Sequence, residues 1–371
     1  MLKDAVDLST LHRVLVIKLR HLGDVLLTSP VFTVLKNHAP HLEIDALVYR
    51  DTDPMLSGHP AIANVFTIDR GWKQEEWTSR IANEWRLFRS LRARHYDLIV
   101  HLTENPRGAV LSLLLKPPYS VARDYPAKRG RLWRNSFTHL YPSPARRHTV
   151  EMHLDALRRI GVYPRADERR LVLVPGAEAE RSVRELLARH GLAPRGFIHL
   201  HPTSRWMFKS WDTDKNAALI TALQESGESV VLTAAPSEPE LQYAARITAR
   251  LKKPVVDLSG KLNLKQLAAL TAQAKCFVGV DSVPMHIAAA VQTPCVAMFG
   301  PSNELIWGPW QVRHQLLTLP YSCRPCGIDG CGGGKVSECL TDISVDKVLH
   351  AINELIRDEP PGRQERQDRN G

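Results

Sequence analysis

"RVLVIKLRHLGDVLLTSP", residues 13–30, decides the fold. The apolar run 13–17 reads as a buried strand, and the chain that leaves it meets Gly23 and then the carboxylate of Asp24 at the mouth of a helix. Strand, tight loop and helix in that order open an α/β domain. A dinucleotide site at this loop requires GxGxxG, so that the backbone can approach a pyrophosphate, and only one glycine stands here. Asp24 then has two readings. It is an N-cap for free backbone N–H groups, with Ser29 before Pro30 as a rival cap for a later helix. Or it is a base that a helix start keeps ionised, ready to take a proton from a hydroxyl.

Outward from this stretch, strand-like runs at 13–19, 44–49, 65–68 and 97–102 alternate with helical patterns, notably 77–94. A second series places strands at 197–201, 229–233, 255–258, 276–280 and 294–299, with helices at 213–225, 238–251 and 264–274. Alternation of this kind predicts parallel sheets covered on both faces. A chain of 371 residues exceeds one hydrophobic core. The expectation is therefore α/β, two doubly wound Rossmann-like domains with a cleft between them. The first covers 1–174, a linker and connecting helix 175–196 follow around "VPGAEAERS", and the second covers 197–344. A last helix, 345–356, is a candidate to pack back on the first domain, and 357–371 is a polar tail too poor in apolar residues to order itself.

The N-terminal residues lack the order of a signal peptide and no stretch has the apolar length to span a bilayer, which predicts a cytosolic or membrane-surface protein. The formal net charge of +10 favours anionic partners, whether nucleic acid, phosphorylated lipid or nucleotide. Positive charge gathers in 119–150, where Arg123, Lys128, Arg129, Arg131, Arg134, Arg146 and Arg147 face one acid, Asp124. That run is either a solvated loop or a landing surface for a phosphorylated acceptor. Cys276 and Cys295 fall in strand-like runs and read as core. Cys323, Cys326, Cys331 and Cys339 stand in "CRPCGIDGCGGGKVSEC", a glycine-rich loop of reduced thiols or a structural zinc site.

Ligands of open α/β sheets bind beyond the carboxyl ends of the strands, and two further loops occupy such places. "HLHPTSRWMFKSW", 199–211, offers the hydroxyls of Thr203 and Ser204 and the point charge of Lys209, suited to phosphate oxygens. "GVDSVPMHIAAA", 279–290, ends a strand at Asp281 and opens a helix at Ser282 and Val283, with His286 one turn in. The free N–H groups and dipole of such a helix start anchor phosphate; Asp281 as a cap and His286 as a packed core residue are the structural alternatives. Taken together, a diphosphate held by the second domain would face a lone carboxylate on the first. That is the logic of an inverting nucleotide-sugar transferase, with Asp24 the base and Lys209 and the helix start near Ser282 stabilising the departing diphosphate. No DxD-type pair stands in these loops for a metal, so fixed cations and dipoles are expected to do that work.

Five motifs in order, "LGDVLLTSP" (22–30), "HPTSRWMFKSW" (201–211), "LSGKLNLKQLAAL" (258–270), "GVDSVPMHIAAA" (279–290) and "FGPS" (299–302), resemble the lipopolysaccharide heptosyltransferases, glycosyltransferase family 9, of Gram-negative bacteria. The wording "DSVPMH" and "CRPCGIDGCGGGK" looks most like the branch that adds a third heptose to the second heptose of the inner core. The resemblance implies a GT-B fold, ADP-L-glycero-β-D-manno-heptose as donor, and a phosphorylated lipid A–inner core acceptor. It implies catalysis with no metal or other cofactor and no nucleic-acid partner, at the cytoplasmic face of the inner membrane through peripheral contact. Carried over by motif, Asp24 matches the base, and Thr203, Ser204 and Lys209 match donor-phosphate contacts. Asp281 matches the residue that holds the heptose hydroxyls, Ser282, Val283 and His286 flank the ADP, and Leu262 lines the adenine pocket. Arg123, Lys128, Arg129 and Arg131 are expected to face the acceptor. The alternatives are a first or second heptosyltransferase of the same pathway, a nucleotide-sugar epimerase or NAD-dependent oxidoreductase on the same sheets, or a silent lipid-surface binding module.

Overall fold

A computed structural model describes residues 3–125, 130–142, 144 and 146–357. Two compact units emerge, Met1–Gly176 with Leu305–Gln311, and Ala177–Glu304 with the chain from Val312 onward.

The first unit is a parallel sheet of β1 (Arg13–Lys18), β2 (Glu43–Tyr49), β3 (Asn64–Ile68), β4 (Leu98–His101), β5 (Tyr119–Arg123) and β6 (His139–Tyr141), in the order β3-β2-β1-β4-β5-β6. Val14 to Lys18 are all buried, because a central parallel strand is covered on both faces. Leu15, Ile17, Leu47 and Ile99 meet Leu87 and Leu91 of the helix Trp77–Arg92 in one core cluster.

The second unit repeats the plan with β7 (Phe197–His201), β8 (Ser229–Leu232), β9 (Val256–Asp257), β10 (Cys276–Val280), β11 (Cys295–Met298) and β12 (His314–Leu317), in the order β12-β11-β10-β7-β8-β9. Read from the other edge, both sheets run third, second, first, fourth, fifth, sixth. Strand order therefore reverses between β1 and β4 in one unit and between β7 and β10 in the other, and these switch points are where such sheets bind ligands. Cys276 and Cys295 are buried in adjacent strands, and burial raises the Cys295 thiol well above its ordinary range.

Four expectations are corrected. The linker read across "VPGAEAERS" ends early: the helix Ala177–Arg189 begins inside it and seats Ala179, Val183 and Leu187 against Phe197 and Leu270 of the second unit. The basic run 119–150 is not a loop, since it contains β5, β6, the helix Arg131–Asn135 and the start of the helix Thr149–Arg159. β12 lies beyond the last strand read in the second series.

The final helix, Val345–Arg357, packs not on the first unit but in the core of the second, where Val348, Ile352 and Leu355 join Ile198, Val278 and Met298. The segment that does return to the first unit is Leu305–Gln311. It is held there by His148 Nε2 donating to Gly308 O (3.0 Å), Thr149 Oγ1 to Ile306 O (3.0 Å) and Trp310 Nε1 to Arg169 O (2.7 Å). The Trp310 ring stacks on His148 at 4.3 Å.

Candidate active site

After β1 the chain turns into a five-residue helix, Leu22–Leu26, in which Asp24 lies in the first turn. The capping alternative does not hold: His21 occupies the N-cap without a side-chain capping bond, and Ser29 is the first residue of the next helix, Ser29–His38, with its hydroxyl taken by the backbone N–H of Val172 (2.9 Å). The carboxylate instead stands between two cations, Lys18 Nζ at 3.8 Å and Arg20 Nε at 3.9 Å.

Lys18 was not legible as a site residue. It is the last residue of β1, buried, and donates to Leu102 O (3.0 Å) and to His153 Nε2 (2.8 Å). The other ring nitrogen of His153 donates to Leu27 O (3.0 Å), at the end of the helix that carries Asp24. This fixes the tautomer, so Nε2 is the acceptor for the lysine. Burial pushes Lys18 down to about 8, against the pull of Asp24, and holds His153 well below its ordinary range and therefore neutral.

In the second unit the loops after β7 and β10 meet. Lys209 Nζ donates to Asp281 Oδ2 at 2.7 Å, with the carboxylate buried and the amine half-buried. Asp281 is thus engaged by a cation, and Ser282 is the N-cap of the helix Val283–Ala290 without a side-chain capping bond, its hydroxyl directed to Val280 O at 3.3 Å. Pro284 sits at the helix start, where a missing N–H is harmless. His286 is buried one turn in. Leu262 packs beside Leu258 and Ala269.

Thr203 is fully buried and donates its hydroxyl to Glu240 Oε2 (2.6 Å), so that proton is committed inside the protein; Ser204, also buried, accepts from the backbone N–H of Trp206 (3.4 Å). Glu240, from the helix Glu238–Thr248, also accepts from Ser237 and from the N–H of Ala235, and sequence reasoning missed it. Behind this loop a buried relay fixes the end of β7. Thr271 donates to Leu267 O and accepts from His199 Nδ1, leaving His199 Nε2 to accept from Thr233, which in turn accepts from His201 Nδ1. Burial lowers both histidines, His201 to about 3, so the relay is neutral. Of the aromatics in this loop, Trp211 is core, donating to Ile343 O, Phe208 is half-buried and Trp206 is exposed.

Among the expected acceptor contacts, Arg123 ends β5 with its guanidinium over the Tyr125 ring at 5.1 Å, and Arg131 is exposed at a helix start. Lys128 and Arg129 lie outside the described residues. The zinc alternative at Cys323, Cys326, Cys331 and Cys339 is not supported: among the described residues no three His, Cys, Asp or Glu side chains are placed to hold a metal ion. Cys323 is exposed and Cys339 buried, and burial raises the Cys339 thiol.

The family profile of glycosyltransferase family 9 (heptosyltransferase) matches residues 84–336. Lipopolysaccharide heptosyltransferase 3 of Escherichia coli is 39% identical over 293 residues, 79% of this chain and 84% of that one. Among solved structures, a family 9 glycosyl transferase from Veillonella parvula superposes with a TM-score of 0.82 at 23% identity, covering 96% of this chain and all (100%) of the other. E. coli ADP-heptose LPS heptosyltransferase II superposes with 0.73 at 22% identity, covering 93% and 98%. Two Rossmann-ordered units with polar side chains gathered at both switch points, on this architecture, make a GT-B fold. The chain belongs to glycosyltransferase family 9, the heptosyltransferases.

Proposed function

We propose that this enzyme moves L-glycero-D-manno-heptose from ADP-heptose to the second heptose of the lipopolysaccharide inner core, with inversion and without a metal. The observation that carries the reading is Asp24, a mostly buried carboxylate flanked by Lys18 and Arg20 at the switch point of the first unit. Lys18 and Arg20 hold that carboxylate in place after β1, and a positioned carboxylate can serve as a general base.

In the reaction an acceptor hydroxyl oxygen bonds to the anomeric carbon while the bond from that carbon to the diphosphate oxygen breaks. The hydroxyl proton passes to Asp24, and ADP leaves with the electron pair. Lys209 and the free N–H groups at the start of the helix Val283–Ala290 supply positive potential for the leaving diphosphate. Asp281 orients the heptose hydroxyls and holds Lys209. Ser204, Ser282, Val283, His286 and Leu262 border the nucleotide, whereas Thr203, its proton given to Glu240, serves to anchor the loop.

The 39% identity to a heptosyltransferase 3 supports the third heptose as the product, and Arg123 and Arg131 are the described cations for the phosphorylated acceptor. No described helix is long and apolar enough to cross a membrane, and the reading has the enzyme meet its lipid-linked acceptor peripherally, at the cytoplasmic face of the inner membrane.

The test is Asp24→Ala. Transfer falls by about 100-fold or more, the usual worth of a positioned base, while calorimetry shows ADP-heptose binding unchanged. Retained transfer overturns the assignment.

A further inference from the structure

The helix Trp77–Arg92 carries an apolar stripe that the first unit does not use. Trp77, Ile81 and Trp85 follow at four-residue spacing and so share a face, and they are 74%, 58% and 57% exposed. Leu87 and Leu91, on another side of the same helix, are the residues that enter the core. The helix Pro106–Leu115 packs beside it and exposes Val110, Leu113 and Leu114. An ion pair between Glu84 and Arg107 ties the two helices together.

Six large apolar side chains exposed on two neighbouring helices are more than the scattered single residues of an ordinary surface, and such exposure marks an interaction site. Its border is mostly cationic: Arg80, Arg86, Arg89 and Arg92 are all exposed along the first helix, the one acid within it, Glu84, is paired with Arg107, and the exposed acids Glu75 and Glu76 stand only at its start, beside Trp77.

We propose that the face formed by these two helices seats in the interfacial layer of an anionic phospholipid bilayer. Tryptophan is suited to that layer because its body is apolar and its N–H polar. Arginine stems lie along apolar surface while the guanidinium reaches a phosphate. A helix lying in the membrane plane binds through just this sum of apolar burial and attraction to anionic headgroups. A second copy of the chain fits the face less well, because a twofold contact sets a patch against itself and would bring the four arginines of one copy against those of the other. The inference deepens the reading of a lipid-linked acceptor and rests on it, and it separates the surface that holds the membrane from the side chains that hold the substrates.

The test uses the full chain in flotation with vesicles of phosphatidylethanolamine and phosphatidylglycerol, and with phosphatidylcholine alone. Wild type floats with the anionic vesicles only, and less so as salt rises. Trp77→Ser/Ile81→Ser/Trp85→Ser and, separately, Arg86→Gln/Arg89→Gln each lower the partition by about tenfold or more. Both variants melt at the wild-type temperature, since the altered side chains are exposed, and transfer to a soluble, delipidated inner-core acceptor is unchanged. Flotation of the triple variant equal to wild type overturns the proposal. So does a change from dimer to monomer in light scattering with flotation intact, which assigns the face to a second copy. Failure of wild type to act on the soluble acceptor counts against the heptose-transfer reading and leaves the flotation result to judge the membrane face by itself.

Discussion

At the scale of single residues, the pair that matters most is Lys18 and Asp24. An ammonium buried beneath a carboxylate is costly alone, and here its protons are taken by Leu102 O and the neutral ring of His153. Arg20 and Arg123 also lower Lys18, while Asp24 and Glu104 oppose them, and the balance leaves it near 8. Below that pH the cation is present and Asp24 keeps its partner; above it the partner is lost. Wild-type transfer is therefore expected to decline as pH rises through about 8, and Lys18→Met to lose that alkaline limb. The variant should also transfer about tenfold more slowly, in line with a lost charge contact to the base. Its KM for ADP-heptose should hold, because the donor residues belong to the other unit. Its melting temperature should fall, because removing one partner of a buried ion pair leaves Asp24, Leu102 O and His153 Nε2 without the ammonium that satisfies them. Initial rates across pH and a thermal melt check all of these.

Between elements, the close approach of β7 and β10 positions the donor loops. Gly279 is paired with His201, and a Cβ there would meet the His201 carbonyl oxygen at 2.9 Å and the Phe277 ring at 2.7 Å. Gly279→Ala is expected to destabilise by about 1–3 kcal/mol, the usual cost of overpacking. Denaturant unfolding measures it.

The same pairing explains what sequence could convey. β1, β7 and β10 are central strands, buried along their length, and their apolar runs announce them. β5, β6 and β12 are short and lie towards sheet edges among polar residues, so YSVAR, HLY and HQLL carry little periodic signal. A connecting helix was legible within 175–196, but the small and charged residues at the start of Ala177–Arg189 hid where it begins, although Ala179, Val183 and Leu187 share a face. Asp24, Lys209 and Asp281 were legible as candidates because they stand in the segments that follow buried strands, where polar groups need a reason. Lys18, His153 and Glu240 were not, because each acts through a partner far away in sequence, and only the folded chain brings such partners together.

At the scale of the whole molecule, burial holds His59, His101, His153, His199 and His201 neutral. Burial takes His59 to about 4, His101 and His201 to about 3, and His153 and His199 well below 6.5. From 6.5 down to those values the unfolded chain binds protons that the folded chain refuses, so stability falls as pH falls. Calorimetry should show the melting temperature dropping between pH 7 and pH 5, with both units affected, since three of the five rings lie in the first and two in the second.

A last consequence follows from the excursion at Leu305–Gln311. The polypeptide passes from one unit to the other three times, after Gly176, Glu304 and Gln311. A gene cut once at the obvious seam would give a front piece stripped of the indole that lids His148, with the Arg169 carbonyl left without its donor. The halves are thus not interchangeable cassettes, and chimaeras meant to trade donor or acceptor preference must carry this seven-residue strap with the front half.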